Sequence, residues 1–84
     1  MHYYVYMIKT IAGFRNKTYV GYTNDVRKRL SKHNSNLGAK STKGYKWKLI
    51  YIKKFKSKSS AMRFEYELKK DKNKRTLIKS KSEK

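Results

Sequence analysis

From residue 26 to residue 64 the chain carries thirteen Lys and Arg and not one Asp or Glu. Those 39 residues are long enough for a helix, a loop and a strand, so no element among them can neutralise another through an ion pair. Their cations must point outward, and any core must be built from the apolar positions left between them. The whole 84-residue chain repeats the imbalance, with 24 Lys+Arg against five Asp+Glu and a formal net charge of +19. Self-repulsion of that size opposes compaction, so the expected partner is a polyanion that neutralises it. A chain this short is one domain and buries only about 60% of its unfolded surface. The expected division is a domain over residues 1–79 and a basic C-terminal tail over residues 80–84.

Composition then excludes whole classes of chemistry. There is no Cys, hence no disulfide framework, no cysteine nucleophile and no Cys-based zinc site. Two His argue against a His-rich zinc site as well. The longest apolar run, Tyr3 to Ile8, falls far short of the roughly 20 residues of a membrane span. With no signal-peptide pattern, the expectation is a soluble cytoplasmic protein, nucleoid-associated through its charge. The acids are Asp25, Glu65, Glu67, Asp71 and Glu83. A two-metal phosphodiesterase needs several converging carboxylates, so a nuclease built on this chain is expected to use one metal or none.

Periodicity gives the elements. Tyr3–Lys9 alternates as a strand, with Tyr4, Tyr6 and Ile8 on one face and Tyr3, Val5 and Met7 on the other. A turn over Thr10–Lys17 leads to a second strand over Thr18–Tyr22, which predicts a hairpin. Thr23-Asn24-Asp25 supplies an N-cap, and a helix is expected to about Ser35 with Val26, Leu30 and His33 in one stripe. Asn36–Lys46 reads as a basic loop and Trp47–Phe55 as a third strand. Ser57–Ser60 can cap a second helix whose stripe is Ala61, Phe64, Glu65 and Leu68. A short third helix is expected to use Leu77 and Ile78 before the tail frays. The order ββαβα(α) predicts an α+β fold, a three-stranded antiparallel sheet flanked by helices.

Three groups of residues can carry chemistry. Arg29 and His33 are four apart on the first helix and project from one side. They read either as a surface cation with a helix-end His, or as a phosphate clamp facing the tyrosine-bearing strands. Glu65 sits within an apolar stripe. It either pairs with Lys69 at i,i+4, worth only about 0.3–0.5 kcal/mol, or needs a stronger partner such as Mg²⁺, which takes one or two carboxylates plus water and phosphate oxygens. Among the eight Tyr and one Trp, Tyr3, Tyr51 and Trp47 are expected in the core. Tyr6 and Tyr19, on paired strands, can bring their hydroxyls together, and nearby cations or a metal would make a phenol a better base. Gly21 lacks a Cβ and permits close approach of a helix or a substrate.

Tyr4-Val5-Tyr6, Tyr19-Val20-Gly21, Arg29, His33 and Glu65, in this order and spacing, resemble the GIY-YIG nuclease superfamily. The wider strings Arg29-Leu30-Ser31-Lys32-His33-Asn34, Gly38-Ala39-Lys40-Ser41-Thr42 and Ala61-Met62-Arg63-Phe64-Glu65 are similar too. The likeness covers roughly Tyr3 to Lys70. It resembles the small single-domain bacterial members and the nuclease domain of the eukaryotic endonuclease that resolves branched DNA, whose zinc module has no counterpart in a Cys-free sequence. Tyr4 stands where the family has the first Gly. The resemblance implies hydrolysis of DNA phosphodiesters with one Mg²⁺ or Mn²⁺, and a place in DNA repair. Tyr19 would help deprotonate the attacking water with Tyr6 in support, and Arg29 would stabilise charge at phosphorus. His33 would orient a tyrosine or share the proton transfer, and Glu65 would hold the metal. Arg27, Lys32, Lys40, Lys43, Lys46 and Lys48 are expected to track phosphates without reading bases, with a separate targeting protein as a further partner and no membrane. The alternative is a non-catalytic DNA- or RNA-binding module.

Overall fold

The computed structural model describes residues 1–83; Lys84, the end of the expected tail, lies outside them. Among the described residues three strands and three helices form: β1 (Tyr3–Thr10), β2 (Thr18–Thr23), α1 (Val26–Asn34), β3 (Trp47–Phe55), α2 (Lys58–Lys70) and α3 (Lys72–Ser82). One turn of 3₁₀ helix, Lys40–Thr42, interrupts the basic loop. The fold is α+β in the expected order.

β1 is the middle strand of a sheet ordered β2-β1-β3, antiparallel to both neighbours. Its register with β3 shifts between Met7 and Ile8, so that β3 carries one extra residue there. The alternation read from β1 builds two cores. Val5 and Met7 pack with Val20, Ala61 and Leu68, and with half-buried Phe64 and Ile78, beneath α2 and α3. Tyr6 and Ile8 pack with Trp47, Tyr19, Val26 and Leu30, beneath α1. Every side chain from Val5 to Ile8 is buried. A central strand covered on both faces in this way is apolar throughout its middle.

Local chemistry sets the boundaries. The Asp25 carboxylate accepts from Lys28 N at 3.0 Å and caps α1, and the Ser57 hydroxyl accepts from Ser60 N and caps α2. Asp71 closes α2 and also caps α3 through Lys74 N. At the far end of α1 the Asn34 amide accepts from Trp47 N and donates to Trp47 O, clamping the start of β3 to the helix. Between these two points the loop is pinned.

α3 departs from expectation twice. It runs to Ser82, through the segment read as a fraying tail, because Asp71 starts it firmly and the Lys9–Glu83 pair at 2.8 Å ties its end to β1. Leu77 is exposed and only its neighbour Ile78 packs on the core. Adjacent residues on a helix point about 100° apart, so with Ile78 turned to the core Leu77 is turned away from it.

Candidate active site

Tyr6 and Tyr19 come from paired strands and lie on the α1 face, with ring centroids 6.5 Å apart. His33 makes the third corner of the cluster, 5.8 Å from the Tyr6 ring and 5.0 Å from the Tyr19 ring. α1 delivers it there: Val26 and Leu30 pack on the sheet, and His33 continues that stripe into the core, where it is fully buried. Buried His needs partners, and it has two. Nε2 lies 2.8 Å from the Tyr6 hydroxyl and Nδ1 lies 2.9 Å from Thr42 Oγ1.

Arg29, one turn before His33, is only half-buried and donates from Nε to the Tyr6 hydroxyl at 3.4 Å. Hydrogen bonding to Tyr6 raises the pKa of its guanidinium, and Tyr19 adds to the effect. Burial pushes the Tyr6 phenol up to about 12, against the opposing pull of Arg29. Burial, reinforced by Arg29, lowers the pKa of His33, so the imidazole is neutral. Between them, these shifts make Tyr6 a neutral hydroxyl and His33 a neutral ring at physiological pH.

Glu65 approaches from α2, which packs on the other face of the sheet. β2 is an edge strand, so groups from both layers can approach Tyr19. The Glu65 side chain is 17% exposed, and its Oε1 lies 3.6 Å from Lys69 Nζ. Lys69 in turn stands 5.9 Å from the centre of the Tyr19 ring, and the Glu65 charge is near enough to act on Tyr6. Arg29 thus reaches the phenol pair directly, and Glu65 bears on it through its charge and through Lys69. Among the described residues no three His, Asp or Glu gather into a metal-binding group.

Two glycines are needed for this packing. A Cβ on Gly21 would lie 2.5 Å from the Tyr6 hydroxyl oxygen and 2.8 Å from its Cζ. What approaches Gly21 is therefore the Tyr6 phenol, rather than a helix or a substrate. A Cβ on Gly38 would collide with His33 Nδ1.

The cations expected to track phosphates are dispersed. Lys32 lines a groove of about 220 Å³ with Thr23, Asn24, Asp25, Lys28 and Arg29. Arg27, Lys40 and Lys43 are exposed on α1 and the loop. Lys46 is engaged, donating to Asn34 O at 2.7 Å. Lys48 follows Trp47 and so points to the α3 side, where its charge acts on Glu83. Lys69 is the i,i+4 partner expected for Glu65, whereas sequence reasoning assigned no separate role to Lys28, Gly38 or Thr42. Thr42 and Gly38 lie within a string that carries the family resemblance, which was their one available signal.

A family model for the GIY-YIG catalytic domain matches residues 2–79. The chain belongs to the GIY-YIG family. Membership places it in a nuclease superfamily and implies a nucleic-acid substrate. Among relatives of this GIY-YIG chain, the UPF0213 protein BH0048 of Halalkalibacterium halodurans is 44% identical over 70 residues, covering 82% of this chain and 71% of that protein. A UPF0213 protein of Halobacterium salinarum is 44% identical over 70 residues, covering 82% of this chain and 86% of that protein. The solution NMR structure of UPF0213 protein BH0048 from Bacillus halodurans superposes with a TM-score of 0.52 at 39% identity, covering 95% of this chain and 84% of that one. No helix among the described residues is long and apolar enough to cross a membrane.

Proposed function

We propose that this GIY-YIG domain is an endonuclease that hydrolyses DNA phosphodiester bonds with a single divalent cation, Mg²⁺ or Mn²⁺. What supports the reading is the cluster of Tyr6, Tyr19 and His33 with Arg29 on the Tyr6 hydroxyl, and a Glu65 charge near enough to act on Tyr6. Arg29 is fully charged and only half-buried, so it is suited to stabilise the extra negative charge on an attacked phosphate. Tyr6, held neutral and turned to His33, is a poor base, which leaves the Tyr19 hydroxyl to help remove a proton from the attacking water. Glu65 is a hard oxygen donor drawn inward on its helix and fits an ion that takes one protein carboxylate with water and phosphate oxygens. When bound there, the ion would supply Lewis-acid polarisation of the phosphate and its leaving oxygen. Lys28 and Lys32 flank Arg29 and would hold neighbouring phosphates. Such contacts give affinity rather than sequence readout, so substrate choice would fall to DNA shape or to a targeting protein.

One observation favours a second reading, a nucleic-acid binding module without turnover: Lys69 already neutralises Glu65. The two readings separate in a cleavage assay with purified protein on duplex, single-stranded, flap and four-way DNA, with and without Mg²⁺ or Mn²⁺. The nuclease reading expects metal-dependent products that Glu65→Ala does not form. Salt-sensitive binding with no product in either metal would sink it and favour the module.

A further inference from the structure

The proton positions around His33 follow from simple accounting. Thr42 is fully buried. Its hydroxyl lies 2.8 Å from Ala39 O, and a carbonyl can only accept, so Thr42 must spend its one proton there. The 2.9 Å contact between Thr42 Oγ1 and His33 Nδ1 then requires the proton to be on Nδ1. In a neutral imidazole this leaves Nε2 bare, and at 2.8 Å Nε2 accepts the Tyr6 O–H proton. The opposite arrangement would set the Thr42 and Ala39 oxygens 2.8 Å apart with no proton between them. Trp47 Nε1 donates to Thr42 O at 3.1 Å and fixes the backbone from which the hydroxyl projects.

We propose that Thr42 is a positioning residue for the GIY-YIG site: its hydroxyl sets the His33 tautomer, which commits the Tyr6 proton inward and turns the Tyr6 lone pairs toward Arg29. The inference rests on the nuclease reading for its effect on rate, though not for its effect on the tautomer. Two consequences follow. The chain Tyr6–His33–Thr42–Ala39 ends on a peptide carbonyl and leads no proton to solvent, so His33 orients Tyr6 and does not relay protons. With the Tyr6 proton committed, Tyr19 is the phenol left to serve the water. Neutral His33 and a Tyr6 pKa of about 12 agree with this order.

The test pairs a spectroscopic readout with kinetics. Long-range ¹H–¹⁵N spectra of ¹⁵N-labelled protein report which His33 nitrogen carries the proton in the wild type, Thr42→Ser and Thr42→Val. The wild type and the Ser variant are expected in the Nδ1–H form. Val keeps the shape but removes the acceptor, so its ring should shift toward Nε2–H. Its kcat should fall about 10–100-fold, the size typical of partners that orient a functional His. KM should be little changed, and Ser should recover most of the rate. An Nε2–H wild type, or a folded Val variant with unaltered tautomer and kcat, would overturn the proposal. Should the Val variant not fold, the wild-type and Ser spectra decide. Should the wild type cut nothing, the nuclease reading fails while the tautomer assignment stands or falls by its own spectrum.

Discussion

Glu65 Oε1 lies 3.6 Å from Lys69 Nζ, one turn along α2, and the acid is much the more buried of the two, 17% exposed against 48%. A pair of this kind at a helix surface is worth about 0.3–0.5 kcal/mol. That is too little to account for drawing a carboxylate inward beside a phenol pair. A doubly charged ion would compete with the ammonium for the same oxygens. Glu65→Ala is therefore expected to reduce metal-dependent cleavage to background while DNA affinity in gel shifts stays close to wild type. A variant that cuts as fast as wild type, with contaminating nuclease excluded, would remove Glu65 from the site.

Gly21 sits directly opposite Tyr6 in the β1–β2 pairing. Its φ is not positive, so the penalty of Gly21→Ala is collision, chiefly with the Tyr6 phenol and to a lesser degree with Tyr19 Cε2 at 3.1 Å. Overpacking of this sort costs about 1–3 kcal/mol. At about 4–8 °C per kcal/mol for a domain this size, the thermal midpoint should fall by roughly 5–20 °C. Tyr6→Phe removes the nearer colliding atom and should recover part of the loss in the double variant. An unchanged midpoint for Gly21→Ala alone would contradict the packing.

Stability should form a plateau in pH. Burial and Arg29 hold the folded pKa of His33 below its ordinary 6.5, so its contribution is full above that value and is lost as pH falls through and below it. Tyr6 is raised from 10.0 to about 12, so its contribution is full below pH 10 and is lost as pH rises toward 12. Tyr51, also raised by burial, steepens the alkaline limb. Urea midpoints across this range should decline on both sides, with His33→Gln flattening the acid limb and Tyr6→Phe the alkaline one. Limbs that persist unaltered in both variants would assign the pH dependence elsewhere.

The groove beside Arg29 makes a quantitative demand on binding. Each phosphate contact contributes about 0.9 to the slope of log K against log salt on duplex DNA. Reversing Lys28 and Lys32 together to Glu should lower that slope by about 2 and weaken binding at low salt. Reversing Lys32 alone should lower it by about 1, and reversing Lys48 alone, which faces α3, by less. Equal effects at the two places would mean that DNA does not select the α1 face.

The sheet was readable because β1 obeys a period of two and both of its faces are covered. The helix starts were readable because Asp25 and Ser57 are good caps. Spacing together with a family pattern pointed to Tyr6, Tyr19, Arg29, His33 and Glu65, and the structure joins the first four by direct contacts. Thr42 was not readable: a threonine among lysines in a loop looks solvated, and it takes the Asn34 clamp on Trp47 and the Trp47 indole on Thr42 O to show that the loop is held down. The reach of α3 was hidden for a similar reason. Its end meets β1 through the Lys9–Glu83 pair, between residues far apart in sequence. Lys48 was assigned by composition, whereas strand parity sends it to the other face.

β1 has no idle side, and this bears on how the domain can be altered. Tyr6 both fills the interior under α1 and holds the hydroxyl on which Arg29 and His33 meet. A library that varies this strand in search of new reactivity would select for folding in the same step and return mostly its starting sequence. Changes of substrate are better sought at the rim, in Lys28, Lys32 and the exposed lysines of the loop, where a side chain can be exchanged without disturbing what lies beneath.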